Sequence, residues 1–311
     1  MTEPSTFEFL SQLWLREPGT ATVARANALG VCAASCAADP ARLAVTYADL
    51  FILNVYPYGT VYTDAWGEIN TPAARRTAAL YEAYGFQSPD LNAVGAPDHL
   101  GLCLAFLGRM LSTPGTARLA GERFLGELAF WAPVCCLAAE RDPTAHEFYR
   151  AVARATRESL LSALCLSPAA NAQPGAAQPD VAHSAPLFGV DTQPEDEVRL
   201  RDIVRFLLVP SRCGMFLSRS RLGMIARGLG LRLPFGSRFE VAEWLFSSAG
   251  QNDMVSSLIA ALGVEADAAE TSYAGWAERW PAWRPAAVYW LECVKNTRHT
   301  LVEMETLAAS S

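Results

Sequence analysis

Three dipeptides, Asp39-Pro40, Thr71-Pro72 and Asp142-Pro143, each place a short oxygen-bearing side chain directly before a proline. That oxygen can accept from the backbone N–H groups that open a helix, and proline is tolerated at the first helical position because its missing N–H would have no intrahelical partner there. Helix starts are expected at all three. Ser5 with Glu8 and Ser237 with Glu240 have the spacing of a capping box. Behind these signals apolar residues recur at helical intervals. They predict helices over 41–53, 73–84 with a stop at Gly85, 97–111, 116–140 with a kink at Pro133, and 144–166. No alternating run is bounded by hairpin turns, so the expected fold class is all-α.

The chain has 311 residues, more than one hydrophobic core usually serves. A break is visible in the middle. Residues 167–194 carry Pro168, Pro174, Pro179, Pro186 and Pro194 with few large apolar groups, too little buried surface to offset the entropy of ordering them. The expected organisation is a helical bundle over 1–166, a linker or mobile loop over 167–194, and a smaller helical unit over 195–311. Helices are expected in that unit over 195–208, 219–229, 238–249, 253–262 and 284–307. Trp276, Trp280, Trp283 and Trp290 are expected to pack as core against the remainder of the protein.

Composition narrows the function classes. Hydrophobic residues make up 51% and charged residues 18%, which fits a globular protein. A net charge of -7 argues against general affinity for nucleic acid. The exception is the stretch from Arg199 to Arg238, where nine arginines face a single acid, Asp202; a solvated basic face is expected, with an acidic partner or a cofactor phosphate as the other use. The first fifteen residues lack the pattern of a secretory signal, and no apolar run approaches the roughly 20 residues of a membrane span. A soluble, cytoplasmic protein is expected.

Catalytic and metal motifs are not found. Eight cysteines are spread along the chain; Cys103, Cys165 and Cys293 lie in apolar helical contexts and are expected to be buried thiols. Cys32 with Cys36, and Cys135 with Cys136, lack zinc-site spacing, and His99, His146, His183 and His299 are scattered. Without a nucleophile elbow, phosphate loop, HExxH or dinucleotide fingerprint, the expectation is a non-catalytic protein with no cofactor of its own.

Two connections between apolar helices stand out instead. In the first, the helix containing Asp49, Leu50 and Phe51 runs into a loop with Pro57, Tyr58, Gly59, Tyr62 and Asp64. Rings exposed on such a scaffold would bind a peptide well, since they offer large area with few torsions to freeze; rings that cap the core are the equal alternative. In the second, Pro97, Asp98 and His99 lead into the apolar stretch from Leu100, with Asp98 and His99 expected in its first turn. The helix dipole favours a carboxylate there, so capping alone would account for Asp98.

Taken in order, Tyr47, Leu50 and Phe51, then Pro57-Tyr58-Gly59-Thr60-Val61-Tyr62, then Pro97-Asp98-His99 and the apolar helix behind it resemble the TorD/DmsD/NarJ family of redox-enzyme maturation chaperones. Later elements around Phe124, Leu125, Trp131, Pro133, Phe148 and Tyr149 are similar too, so the likeness spans about residues 5–166. The resemblance implies an all-α chaperone fold and binding of the leader peptide, often twin-arginine, and the apo form of a molybdopterin oxidoreductase catalytic subunit before cofactor insertion and export. It carries leader binding to Leu50, Phe51, Pro57, Tyr58, Asp98 and His99. Gly59, Tyr62, Asp64 and Pro97 complete the expected site. Ala96 departs from the family pattern, in which many members have glutamate, and Pro210 to Arg219 resembles an extension found in a subset. A non-catalytic adaptor for another protein is the competing reading, and exchange of helical elements makes a homodimer conceivable.

Overall fold

The computed structural model describes residues 3–32, 39–171, 187 and 199–309. Cys36, His183 and most of the expected linker lie outside the described residues. The structure is 76% helical, without strands among the described residues, and divides into two compact units. The first comprises Met1–Asp64, Glu68–Gln178 and Trp280–Trp283; the second comprises Ala65–Gly67, Pro179–Arg279 and Arg284–Ser311.

The first unit contains α1 (Pro4–Leu15), α2 (Thr20–Ala28), α3 (Pro40–Tyr47), the one-turn α4 (Gly59–Thr63), α5 (Pro72–Ala83), α6 (Leu91–Val94), α7 (Leu100–Ser112), α8 (Thr116–Arg141), α9 (Glu147–Leu166) and α10 (Pro168–Asn171). Helices α1, α7, α8 and α9 form the packed centre. Helix α7 approaches α1 closely because Gly101 and Gly108, seven residues apart, lie on one face. A Cβ at Gly101 would come within 2.6 Å of Leu15, and one at Gly108 within 3.0 Å of the Pro4 carbonyl. Trp14 is fully buried and donates to Thr156 at 2.9 Å. Around it Tyr47, Phe51 and Tyr149 form an aromatic cluster with centroid separations of 4.8–6.0 Å. Each buried hydroxyl is satisfied, Tyr47 by the Trp14 carbonyl and Tyr149 by the Leu43 carbonyl, as the cost of burying polar groups requires.

The punctuation signals met different fates. Asp39 caps α3 by accepting from Ala41 N, and Gly85 stops α5 with φ of +58°, a conformation that suits glycine. Thr71 occupies the N-cap of α5 without a side-chain bond. The expected Ser5 cap is not formed, because Pro4 takes the first helical position and moves the start upstream to Glu3. Asp142 holds a turn by accepting from the Thr144 amide and hydroxyl. Helix α9 starts later, at Glu147, where His146 Nδ1 accepts from Phe148 N at 3.1 Å. Helix α3 continues into a π-helical turn, Ala48–Ile52. The expected linker loses its first residues to the first unit, since α10 packs on α8 and α9.

The second unit contains α11 (Leu200–Leu208), α12 (Pro210–Cys213), α13 (Arg219–Gly228), α14 (Arg238–Gln251), α15 (Val255–Arg279) and α16 (Arg284–Ala309). Ser237 and Glu240 make the expected capping box. Helix α15 runs well past the predicted end at 262, since no proline interrupts it before Pro281. Two of the four tryptophans, Trp276 and Trp290, pack around the buried Tyr273 in this unit. The other two belong to the first unit: Trp280 donates to Ser162 and Trp283 to the Ala129 carbonyl at 2.8 Å.

Several arginines of the basic stretch are not simply solvated. Arg201, Arg205, Arg212 and Arg238 lie over the rings of Phe239, Trp66, Phe206 and Phe216 at 4.4–5.9 Å, and Arg221 pairs with Glu265. Arg227 and Arg232 remain exposed. Rings in reach of a weakly hydrated guanidinium explain the difference. Cys103 and Cys293 are buried as expected, whereas Cys165 is exposed near the end of α9.

Candidate functional site

The two connections singled out in the sequence are one structure. Residues 57–59 and 98–100 exchange backbone hydrogen bonds as an isolated antiparallel bridge centred on Tyr58 and His99. Gly59 N donates to the Asp98 carbonyl at 3.0 Å and Leu100 N to the Pro57 carbonyl at 2.7 Å. Side chains reinforce the pairing. Thr60 N donates to Asp98 Oδ2 at 2.7 Å, so Asp98 closes the open end of α4 from the other segment. His99 is the N-cap of α7, its Nδ1 accepting from Gly101 N at 3.1 Å. This corrects the expected start: Asp98 and His99 precede the first turn, and Asp98 serves α4 instead of α7.

Packing fixes the surroundings. Tyr58 OH donates to the Val94 carbonyl and Tyr81 OH to the Pro97 carbonyl, while the Tyr58 ring meets His99 edge-on at 5.0 Å. Gly59 has a specific reason to lack a side chain: a Cβ there would lie 3.1 Å from the Trp131 ring. Trp131 stacks on Tyr62 at 5.9 Å.

Burial sets the charges. His99 is 3% exposed, and desolvation lowers its pKa to about 3, so it is neutral near pH 7. With Nδ1 accepting, the ring proton is on Nε2. Asp98 is 4% exposed; burial raises its pKa, and the bond from the Thr60 amide opposes that rise. Its second oxygen, Oδ1, is buried without a hydrogen-bond partner. Asp98 also borders a small cavity of about 60 Å³, together with Gly59, Thr60, Arg76, Glu127 and Trp131.

The expected aromatic groove is largely core. Leu50, Phe51 and Tyr62 are at most 5% exposed, and Pro57 and Gly59 are buried too. Tyr58 and Pro97 are half-buried, and Asp64 stands at the C-terminal end of α4. Apolar surface next to the junction comes from Ile52 and Leu53, 62% and 44% exposed. Sequence reasoning missed these two and Thr60, Arg76, Glu127 and Trp131. The Thr60 link needs Asp98 from 38 residues away, a relation no local spacing encodes. The described residues hold no group of three or more His, Cys, Asp or Glu arranged for a metal ion.

Residues 18–136 match the family model described as nitrate reductase delta subunit, so this part of the chain is similar to the NarJ/TorD chaperone family. The family is one of redox-enzyme maturation chaperones, associated with a nitrate reductase-type molybdoenzyme subunit. No curated protein and no solved structure matches the chain. No helix among the described residues is long and apolar enough to cross a membrane.

Proposed function

We propose that the protein is a cytoplasmic, non-catalytic assembly chaperone that holds a molybdopterin oxidoreductase subunit by its leader peptide before cofactor insertion. The observation that carries this reading is the junction of residues 57–60 with 98–101, which keeps one carboxylate oxygen of Asp98 buried and unpartnered. A folding role for Asp98 is complete with the Thr60 bond; the second oxygen is available to an arriving donor. Neutral His99 offers further polarity without charge. Ile52 and Leu53 provide apolar surface for the hydrophobic part of a leader. Among the residues first expected to bind, this reading assigns contact with the leader to Tyr58, Asp64, Pro97, Asp98 and His99, and a supporting role to the buried Leu50, Phe51, Pro57, Gly59 and Tyr62.

Calorimetric titration with synthetic leaders from the organism's molybdenum oxidoreductases tests this reading. One leader should bind, and Asp98→Asn and Tyr58→Ala should each weaken it. If a folded protein takes up none of the leaders, the leader role is lost, and the site serves another protein partner.

A further inference from the structure

The second unit carries an apolar ring that its own fold does not use. Phe235 is 101% exposed, although burying a phenyl group is among the larger gains open to a folded chain. It is held outward by a loop that is fixed at both ends. At the first end, Gly230 turns the chain with φ of +72°, and Leu231 N donates to the Ala226 carbonyl at 2.8 Å. Leu233 then packs over Gly223 of α13, where a Cβ would lie 3.2 Å from the leucine Cδ1. At the second end, Ser237 N donates to Glu240 Oε2 at 2.7 Å in the capping box of α14. Between them stands Phe235, preceded by the exposed Pro234, whose ring restricts the backbone.

The formal charge of this stretch has one sign. Residues 203–239 contain seven arginines and no lysine, aspartate or glutamate, in a chain whose net charge is -7. Arg205, Arg212 and Arg238 are spread over rings, and Arg221 pairs with Glu265. Arg219, Arg227 and Arg232 have no ion pair among the described residues, and the last two are exposed. Glu240, at the foot of the loop, is engaged with Ser237.

We propose that residues 227–236 form a contact surface for an anionic lipid bilayer, with Phe235 entering the interface and Arg227 and Arg232 meeting headgroup phosphates. A protein partner would need a shaped pocket for a ring on a projecting loop, whereas the headgroup region accepts it without one. A free phosphate would satisfy the arginines and leave the ring in water. A second copy of the same face would set arginine against arginine. The rest of the chain is net acidic, so charge complementarity to an anionic surface is confined to this stretch. One ring and a few cations give weak, reversible attachment and no permanent anchor. The inference does not depend on the chaperone reading, since the loop lies outside residues 18–136 and shares nothing with the Asp98 junction.

The test is co-sedimentation of the full chain with vesicles of equal parts phosphatidylglycerol and phosphatidylcholine, against vesicles of phosphatidylcholine alone. The protein should partition onto the anionic vesicles, less as salt is raised, and stay off the neutral ones. Phe235→Ser should weaken partition about tenfold. Arg227→Gln and Arg232→Gln should each weaken it about fivefold. Val288→Ser, at an α16 side chain that is 69% exposed, should leave it unchanged. All four positions are exposed, so these variants keep the fold, and urea midpoints equal to the parent's verify that.

Equal partition onto both kinds of vesicle would overturn the proposal. Anionic binding that Phe235→Ser leaves intact would also overturn it and reduce the stretch to an anion site. No binding to anionic vesicles at low salt would overturn it as well, and would give the surface to an acidic protein partner.

Discussion

Each unit contains a buried turn held by partners distant in sequence, but the two are finished differently. In the second unit, α12 and its Gly214 cap are saturated. The Ser211 carbonyl accepts from Tyr289, the Cys213 carbonyl from Thr297 and the Gly214 carbonyl from Tyr273, at 2.7–2.8 Å. In the first unit, the junction of Pro57 and Gly59 with Asp98 and Leu100 is equally well paired along its backbone, yet Asp98 Oδ1 is left over. A turn whose polar groups are all used serves the fold. One that keeps a charged oxygen in reserve is where the proposed function places its partner.

This contrast can be broken most severely at Gly214. Its φ is +76°, and a Cβ would lie 2.7 Å from Val294 N, so Gly214→Ala should cost about 3 kcal/mol or more in denaturant unfolding. Leader titration of any folded fraction should be unchanged. Next in size, Asp98→Asn should reverse the pattern, reducing leader affinity by about a hundredfold while stability in urea moves by no more than about 1 kcal/mol. Equal losses in both measurements would make Asp98 a structural residue like Gly214. Tyr273→Phe should then cost about 1–2 kcal/mol by orphaning the Gly214 carbonyl, again without affecting leader affinity.

A further test is pH. The folded-state pKa of His99 is depressed to about 3 from 6.5, so the unfolded chain takes up the proton that the folded chain refuses. Above pH 6.5 this group contributes no dependence. Below it, stability should fall by up to about 1.4 kcal/mol per pH unit until about pH 3. Asp98 acts in the opposite sense: its pKa is raised in the fold, so acidification relieves its burial and flattens the fall. His99→Asn, which retains a capping acceptor, should remove the His99 contribution from a series of urea midpoints.

Much of the helical architecture was legible because it is local. Asp39-Pro40 before an apolar run and Gly85 after one act within a single turn, and the Ser237 and Glu240 cap needs only its own spacing. Errors arose where signals overlapped. Pro4 outweighed Ser5 at the start of α1, and two histidines, His99 and His146, served as N-caps in place of the acids before them. At the site, the residue types were readable and their directions were not. Phe51 and Tyr62 looked like groove residues, but Phe51 is committed to the cluster around Trp14 and Tyr62 to the Trp131 ring. Glu127 and Arg76 had no distinguishing pattern, since their relation to Asp98 exists only once α5, α7 and α8 have packed.

The path of the chain through Trp280–Trp283 bears on how the protein is made. These residues complete the first unit, and Trp283 bonds to Ala129, but they are synthesised after every helix of the second unit except α16. A nascent chain can therefore assemble the Asp98 junction early while the indole that belongs beside Ala129 is still missing. The first unit becomes whole only when translation has passed residue 283, so a ribosome that stops within α14 releases a protein with an incomplete first core. Synthesis order thus ties completion of the first unit to production of the segment that follows it.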